Sequence, residues 1–127
     1  MLVRAQWKNT IYSYCCINDR ILILRFKIRR GFMTVIGVYG NSMEIEEFYK
    51  DLQCELDKVN KTDYIIIIGD LNARIGKNPV LNVVGDNGED VLNEKGRQLI
   101  DFAASNSFKI TNSFFRHKDI HKIYMVS

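Results

Sequence analysis

Gly69-Asp70-Leu71-Asn72 is the segment of this sequence best placed to do chemistry. It follows directly on Tyr64-Ile65-Ile66-Ile67-Ile68. An apolar strand that ends this way delivers polar side chains to a sheet edge, where open α/β sheets place their ligands. If the backbone stays extended, Asp70 and Asn72 point to one side, because strand side chains repeat every two residues. Gly69 lets a ligand or a neighbouring backbone come close. A carboxylate and an amide so placed can hold a water, a hard cation or a phosphate oxygen. The same four residues also suit an Asx-type turn, in which both side chains satisfy local backbone groups. Tyr39, at the end of a separate apolar run, is equally two-sided. Its ring can pack while its hydroxyl bonds locally, or the hydroxyl can sit beside Asp70 and donate to a phosphate oxygen.

Other candidates carry less. His117 and His121 have the i, i+4 spacing of two metal ligands on a helix, but no Glu or third ligand accompanies them and helical periodicity is lost there. A solvated tail fits them better. Gly85-Asp86-Asn87-Gly88 lacks the Lys and Ser/Thr of a phosphate-binding loop and reads as a turn. Cys54 lies one step off an apolar helical stripe and reads as a small packing residue rather than a nucleophile.

The elements that must position these residues can be traced from periodicity. Leu24, Phe26 and Ile28 alternate with Arg25, Lys27 and Arg29, the pattern of a half-buried strand. Arg30-Gly31 makes a turn, and Met33–Tyr39 returns as a second strand, giving a hairpin with one basic face. Between Glu44 and Val59 the period changes. Ile45, Phe48, Tyr49, Leu52, Leu56 and Val59 mark an amphipathic helix, capped by Ser42 and with Glu44, Glu46 and Glu47 at the positive end of its dipole. Four consecutive isoleucines leave the next strand, 64–70, no polar face, so it is expected to be buried on both sides. Residues 74–93 read as a long loop rich in Gly, Asn and Asp. Asn93 caps a second helix, Glu94–Ser105, with Leu99, Ile100 and Ala103 inward, and Phe108–Thr111 is a short strand. The order ββαβ-loop-αβ favours a layered α/β fold.

Composition sets the outer bounds. A chain of 127 residues, 46% hydrophobic and 26% charged, is globular and long enough for one domain. Its net charge of +3 is unevenly spread. Residues 1–32 hold seven basic side chains against Asp19 alone, a balance of +6, and the remainder carries −3. A basic front end suits a polyanion partner, although solvated surface charge explains such runs more often. Three cysteines, two of them adjacent, do not make a disulfide scaffold. No apolar run is long enough to span a bilayer, and no signal peptide is evident. The expected setting is intracellular, nuclear or cytoplasmic, without a membrane partner.

Taken together, VIGVYGNS, FYKDLQCELDKV, YIIIIGDLNARIG and ITNSFFRHKDIHK resemble consecutive stretches of an endonuclease/exonuclease/phosphatase domain. The version is the one found in craniofacial development protein 2-like proteins and in the endonuclease part of non-LTR retrotransposons. The resemblance implies a four-layered α/β sandwich of the DNase I-like kind, with two facing sheets between helices, and Mg²⁺-dependent cleavage of phosphodiester bonds in DNA. It assigns Asp70 to orienting or deprotonating the attacking water, Asn72 to the scissile phosphate and Tyr39 to a phosphate contact. Arg25, Lys27 and Arg29 become candidates for weak, non-specific contact with DNA.

Three departures from the family pattern matter. The Y-A-P motif reads Tyr39-Gly40-Asn41. The family's metal-binding glutamate has no counterpart before Trp7, so the metal ligands are unknown. The I-D-Y strand and the S-D-H aspartate–histidine pair have no counterpart after Lys122. The expectation is a partial domain over residues 1–127, inactive as a nuclease by itself. A non-catalytic remnant that binds nucleic acid weakly is the rival. A calcineurin-like metallophosphatase, which needs several more His and Asp ligands, is the remoter one.

Overall fold

The computed structural model describes residues 1–40 and 45–116, together with the backbone of 123–126. Ser42, His117 and His121 lie outside the described residues. A short 3-10 helix, Ala5–Thr10, leads into strand β1, Ile11–Cys16. Strands β2, Ile21–Ile28, and β3, Gly31–Tyr39, form the expected hairpin. Its link is one residue earlier than read from the sequence. Ile28 pairs with Gly31 across Arg29-Arg30, and Gly31 takes φ +101°, which a side chain would resist. Helix α1, Ile45–Lys58, then carries the chain back to β4, Tyr64–Asp70, which pairs parallel with β3.

Helix α2 spans Glu94–Ser105, as expected, with the Asn93 side chain accepting from Gly96 N at 2.7 Å. Strand β5 is only Lys109–Ile110, and β6 is Ile123–Val126. The six strands form one sheet in the order β1-β2-β3-β4-β6-β5.

Register decides which face is which. Ile21 pairs with Val38, Ile23 with Ile36 and Arg25 with Thr34, while Ile36 pairs with Ile67 across β3 and β4. These residues share the face that the helices cover. Phe48, Leu52 and Leu56 of α1 and Leu99, Phe102 and Ala103 of α2 join Ile21, Ile36, Val38 and Ile67 in one core. The two helices also touch each other, with the Tyr49 and Phe102 ring centroids 5.2 Å apart and Gln53 exchanging amide hydrogen bonds with Asn106. Leu52 is completely buried, and the α1 stripe read from the sequence accounts for it.

The opposite face corrects one expectation. In the four-isoleucine strand only Ile67 is fully buried, and Ile66 and Ile68 are half-buried. They lie on the side away from the helices, with Leu22, Phe26 and Met33, where the N-terminal residues Leu2, Val3 and Trp7 line an open groove against Phe26, Ile28 and Met33. Cys54 is another correction. It is exposed, as are Cys15 and Cys16, because it stands on the outer side of α1. Among the described residues no helix is long and apolar enough to cross a membrane.

Candidate functional site

Tyr39 and Asp70 are direct partners in the β3–β4 register, each the last residue of its strand. The βαβ connection makes this happen. Parallel strands joined through α1 end on the same side, so the carboxyl ends of both arrive at one edge. Alternation from half-buried Ile66 and Ile68 puts Asp70 on the open face, and its partner Tyr39 follows. Gly69 permits the approach. A Cβ there would stand 1.8 Å from the Val38 carbonyl oxygen.

Beyond Asp70 the chain does not stay extended. Asn72 takes φ +50°, in the left-handed region that asparagine tolerates better than most residues. Asp70 Oδ1 accepts from the Asn72 backbone N–H at 3.1 Å, and Asn72 Nδ2 donates to the Gly40 carbonyl at 3.0 Å. The Asx-turn geometry is therefore present, and it also ties the two strand ends together. Gly40 N–H donates to the Asp70 carbonyl at 2.8 Å, closing the link from the other side. Asp70 Oδ2 has no hydrogen-bond partner among the described residues, and Tyr39 is 53% exposed. Both face an open groove of about 550 Å³ that Asn18, Asp19 and Arg20 also line. Sequence reasoning missed these three, since only the β2–β3 register brings the β1–β2 turn to this edge. The Tyr39 N–H donates to the Arg20 carbonyl at 3.0 Å.

Asn93 does more than cap α2. Its Oδ1 accepts from Arg74 N at 3.0 Å as well as from Gly96 N, its own N–H donates to the Arg74 carbonyl, and its Nδ2 reaches the Asn72 carbonyl at 3.4 Å. Gly96 lets the helix approach this closely, since a Cβ would stand 1.8 Å from the Arg74 carbonyl oxygen. The strand end is thus clamped to the first turn of α2. The cap was readable from the sequence, but the clamp depends on a contact 19 residues away.

The basic hairpin face does not present three free cations. Arg25 makes a two-pronged ion pair with Asp63, Nε to Oδ2 at 2.7 Å and Nη2 to Oδ1 at 2.8 Å, and stacks 3.9 Å above the Phe32 ring centroid. The Thr34 hydroxyl donates to the same carboxylate at 2.8 Å. Hydrogen bonding from Arg25 holds the Asp63 carboxyl below the usual carboxylate range, against the opposing effect of burial, and Thr34 adds to it. Lys27 and Arg29 are exposed at the turn end of the hairpin. Alternation places Arg25 on the helix-covered face, with Ile21 and Ile23, so its partner comes from the segment after α1.

Comparison with known proteins agrees with the resemblance read from the sequence. No family model matches the chain. It is 36% identical over 121 residues to craniofacial development protein 2 of Tragulus javanicus and, equally, to that of Bos taurus. These alignments cover 91% of the chain but 21% and 20% of the relatives, so it spans about a fifth of their length. Among solved structures, the endonuclease domain of TRAS1, a telomere-specific non-LTR retrotransposon, superposes with a TM-score of 0.61 at 16% identity. That match covers 87% of this chain and 51% of the domain. The chain is thus a sequence relative of craniofacial development protein 2 and shares the DNase I-like α/β fold over about half of that solved domain.

Proposed function

We propose that this chain supplies the phosphate-binding and water-orienting side of a nuclease site for DNA. The observation that carries the reading is the register pair Tyr39–Asp70 at the carboxyl edge, with Asn72 hooked onto Gly40 beside it. In this reading a phosphodiester lies across the open edge. The Tyr39 hydroxyl and the second Asn72 amide hydrogen donate to its non-bridging oxygens. Asp70 Oδ2 accepts a proton of the attacking water, while Oδ1 is held by the Asn72 backbone. General-base assistance of this kind is worth about 10²–10⁴ in rate.

Among the described residues the site offers Mg²⁺ the Asp70 carboxylate and no cluster of ligands around it. No three His, Cys, Asp or Glu side chains among them converge on one point. Mg²⁺ needs near-octahedral oxygen coordination that usually includes one or two carboxylates. A metal-dependent reaction would take its further ligands from outside the described residues, and the expected behaviour of the 127-residue chain alone is weak DNA binding without cutting.

The test is a binding titration with labelled duplex at low salt, beside a plasmid-nicking assay with Mg²⁺. The chain should bind weakly without nicking, and Tyr39→Phe with Asn72→Ala should weaken the complex. Unchanged binding in that double variant would remove the edge from the phosphate site. Nicking abolished by chelator and by Asp70→Ala would show that the chain completes a metal site itself.

A further inference from the structure

The loop that follows the site contains a feature the net charge conceals. Ile75 bridges to Leu92, and Gly76 N–H donates to the Val91 carbonyl at 3.0 Å, so the segment between them folds back on itself. Its two ends meet in an open groove of about 430 Å³ lined by Arg74, Lys77, Gly88, Glu89, Asp90 and Val91. Arg74 Nε lies 3.9 Å from Glu89 Oε2, and Lys77 is paired with Asp90. Two cations thus face two carboxylates in the groove.

We propose that Arg74 and Lys77 are a second contact for the DNA strand, adjoining the Asp70–Asn72 site, and that Glu89 and Asp90 occupy them as phosphate stand-ins until DNA displaces the acids. The inference rests on the phosphodiester reading of that site. Three observations support it. The Arg74 backbone is clamped by Asn93, whose amide also reaches the Asn72 carbonyl, so the guanidinium is rooted at a fixed place two residues beyond the site. The Arg74 and Lys77 side chains are 59% and 63% exposed. The acids are held by ion pairs in which Arg74, Lys77 and Asp90 are exposed and Glu89 is half-buried. A solvent-accessible pair shifts an equilibrium by no more than about 5-fold, so DNA can exchange for these acids.

The exchange has a distinct salt signature. A lysine or arginine that neutralises a phosphate on duplex DNA adds roughly −0.9 to the slope of log K against log salt. When the cation must first leave a carboxylate, the freed acid recruits counterions and part of that slope is lost. Binding to the unmodified chain is therefore both weaker and less salt-dependent than its cations alone would give.

The experiment measures duplex binding across a salt series for the whole chain, for Glu89→Gln with Asp90→Asn, and for Asp57→Asn with Asp101→Asn. The last pair removes the same charge away from the groove. The groove variant should bind tighter than this comparison variant at low salt, by up to about 5-fold for each freed cation. Its salt slope should be steeper by up to about 1.8. Adding Arg74→Gln and Lys77→Gln should erase both gains. A gain no larger than the comparison variant's, or one that survives loss of the cations, would overturn the exchange while leaving DNA binding intact. If no form binds duplex at low salt, the phosphodiester reading falls and the inference falls with it.

Discussion

Arg25 and Asp63 stand 38 residues apart in sequence and meet through two hydrogen bonds at the edge of the helix-covered core. The pair fastens β2 to the segment entering β4, and Thr34 on the strand between them completes it. Because the folded Asp63 carboxyl titrates below its unfolded value, its contribution is present at neutral pH. It is lost as pH falls from the unfolded value, about 4, through the lowered folded one. Asp63→Asn should therefore melt well below the parent near pH 7. The gap should narrow below about pH 4, as followed by circular dichroism. A gap independent of pH would show that the charge of Asp63 is not what stabilises the fold.

With Arg25 committed to Asp63, only Lys27 and Arg29 of the three alternating cations of β2 and its turn are open to a polyanion. Replacing both with Gln should flatten the salt slope of duplex binding by about 1.8. Arg25→Gln should lower the melting temperature and leave the slope nearly unchanged. A slope change for Arg25→Gln as large as that for Lys27→Gln would contradict the pairing.

Asp70→Asn preserves an oxygen able to accept from the Asn72 backbone, so stability should change by less than about 0.5 kcal/mol. In a nicking-competent protein that contains this segment, the same change should lower the rate by about 10²–10⁴. Equal nicking rates would take Asp70 out of the mechanism.

Gly69→Ala tests the backbone beneath the site. Its new methyl would collide with the Val38 carbonyl, and φ is +156° there, so the parallel pair must separate. A loss of roughly 3 kcal/mol or more is expected in urea unfolding. Gly31→Ala, at the hairpin turn, meets no neighbour within 4 Å and should cost less despite its positive φ.

Much of the frame was readable from local signals. The α1 stripe, the Asn93 cap and the glycine after four isoleucines each act within a few residues, and each element lies where these place it. The strand β1 was not readable. It is an edge strand with five of its six residues exposed, so burial imposes no clear apolar alternation on Ile11–Cys16. The faces of β2 were also misleading. Alternation separates Arg25 from Leu24, but it cannot say that Asp63 waits on the arginine side. Nor could four isoleucines reveal that Ile66 and Ile68 face a half-open surface. The site itself divides the same way. Asp70, Asn72 and Tyr39 were found from strand ends, whereas the left-handed turn at Asn72 and the Asn93 clamp follow from contacts distant in sequence.

The parallel pairing of β3 with β4 has a consequence for the order in which the molecule assembles. The β2–β3 hairpin closes across two residues, a local event on the scale of microseconds. Tyr39 and Asp70 instead must wait for the intervening helix to dock, since a parallel pair cannot zip from a turn. A nascent chain that has emerged only as far as α1 would hold a formed hairpin and no Tyr39–Asp70 pair. The polar groups of the Tyr39–Asp70 edge thus come together only after the core beneath them has closed, and a chain that misfolds never displays them as a set.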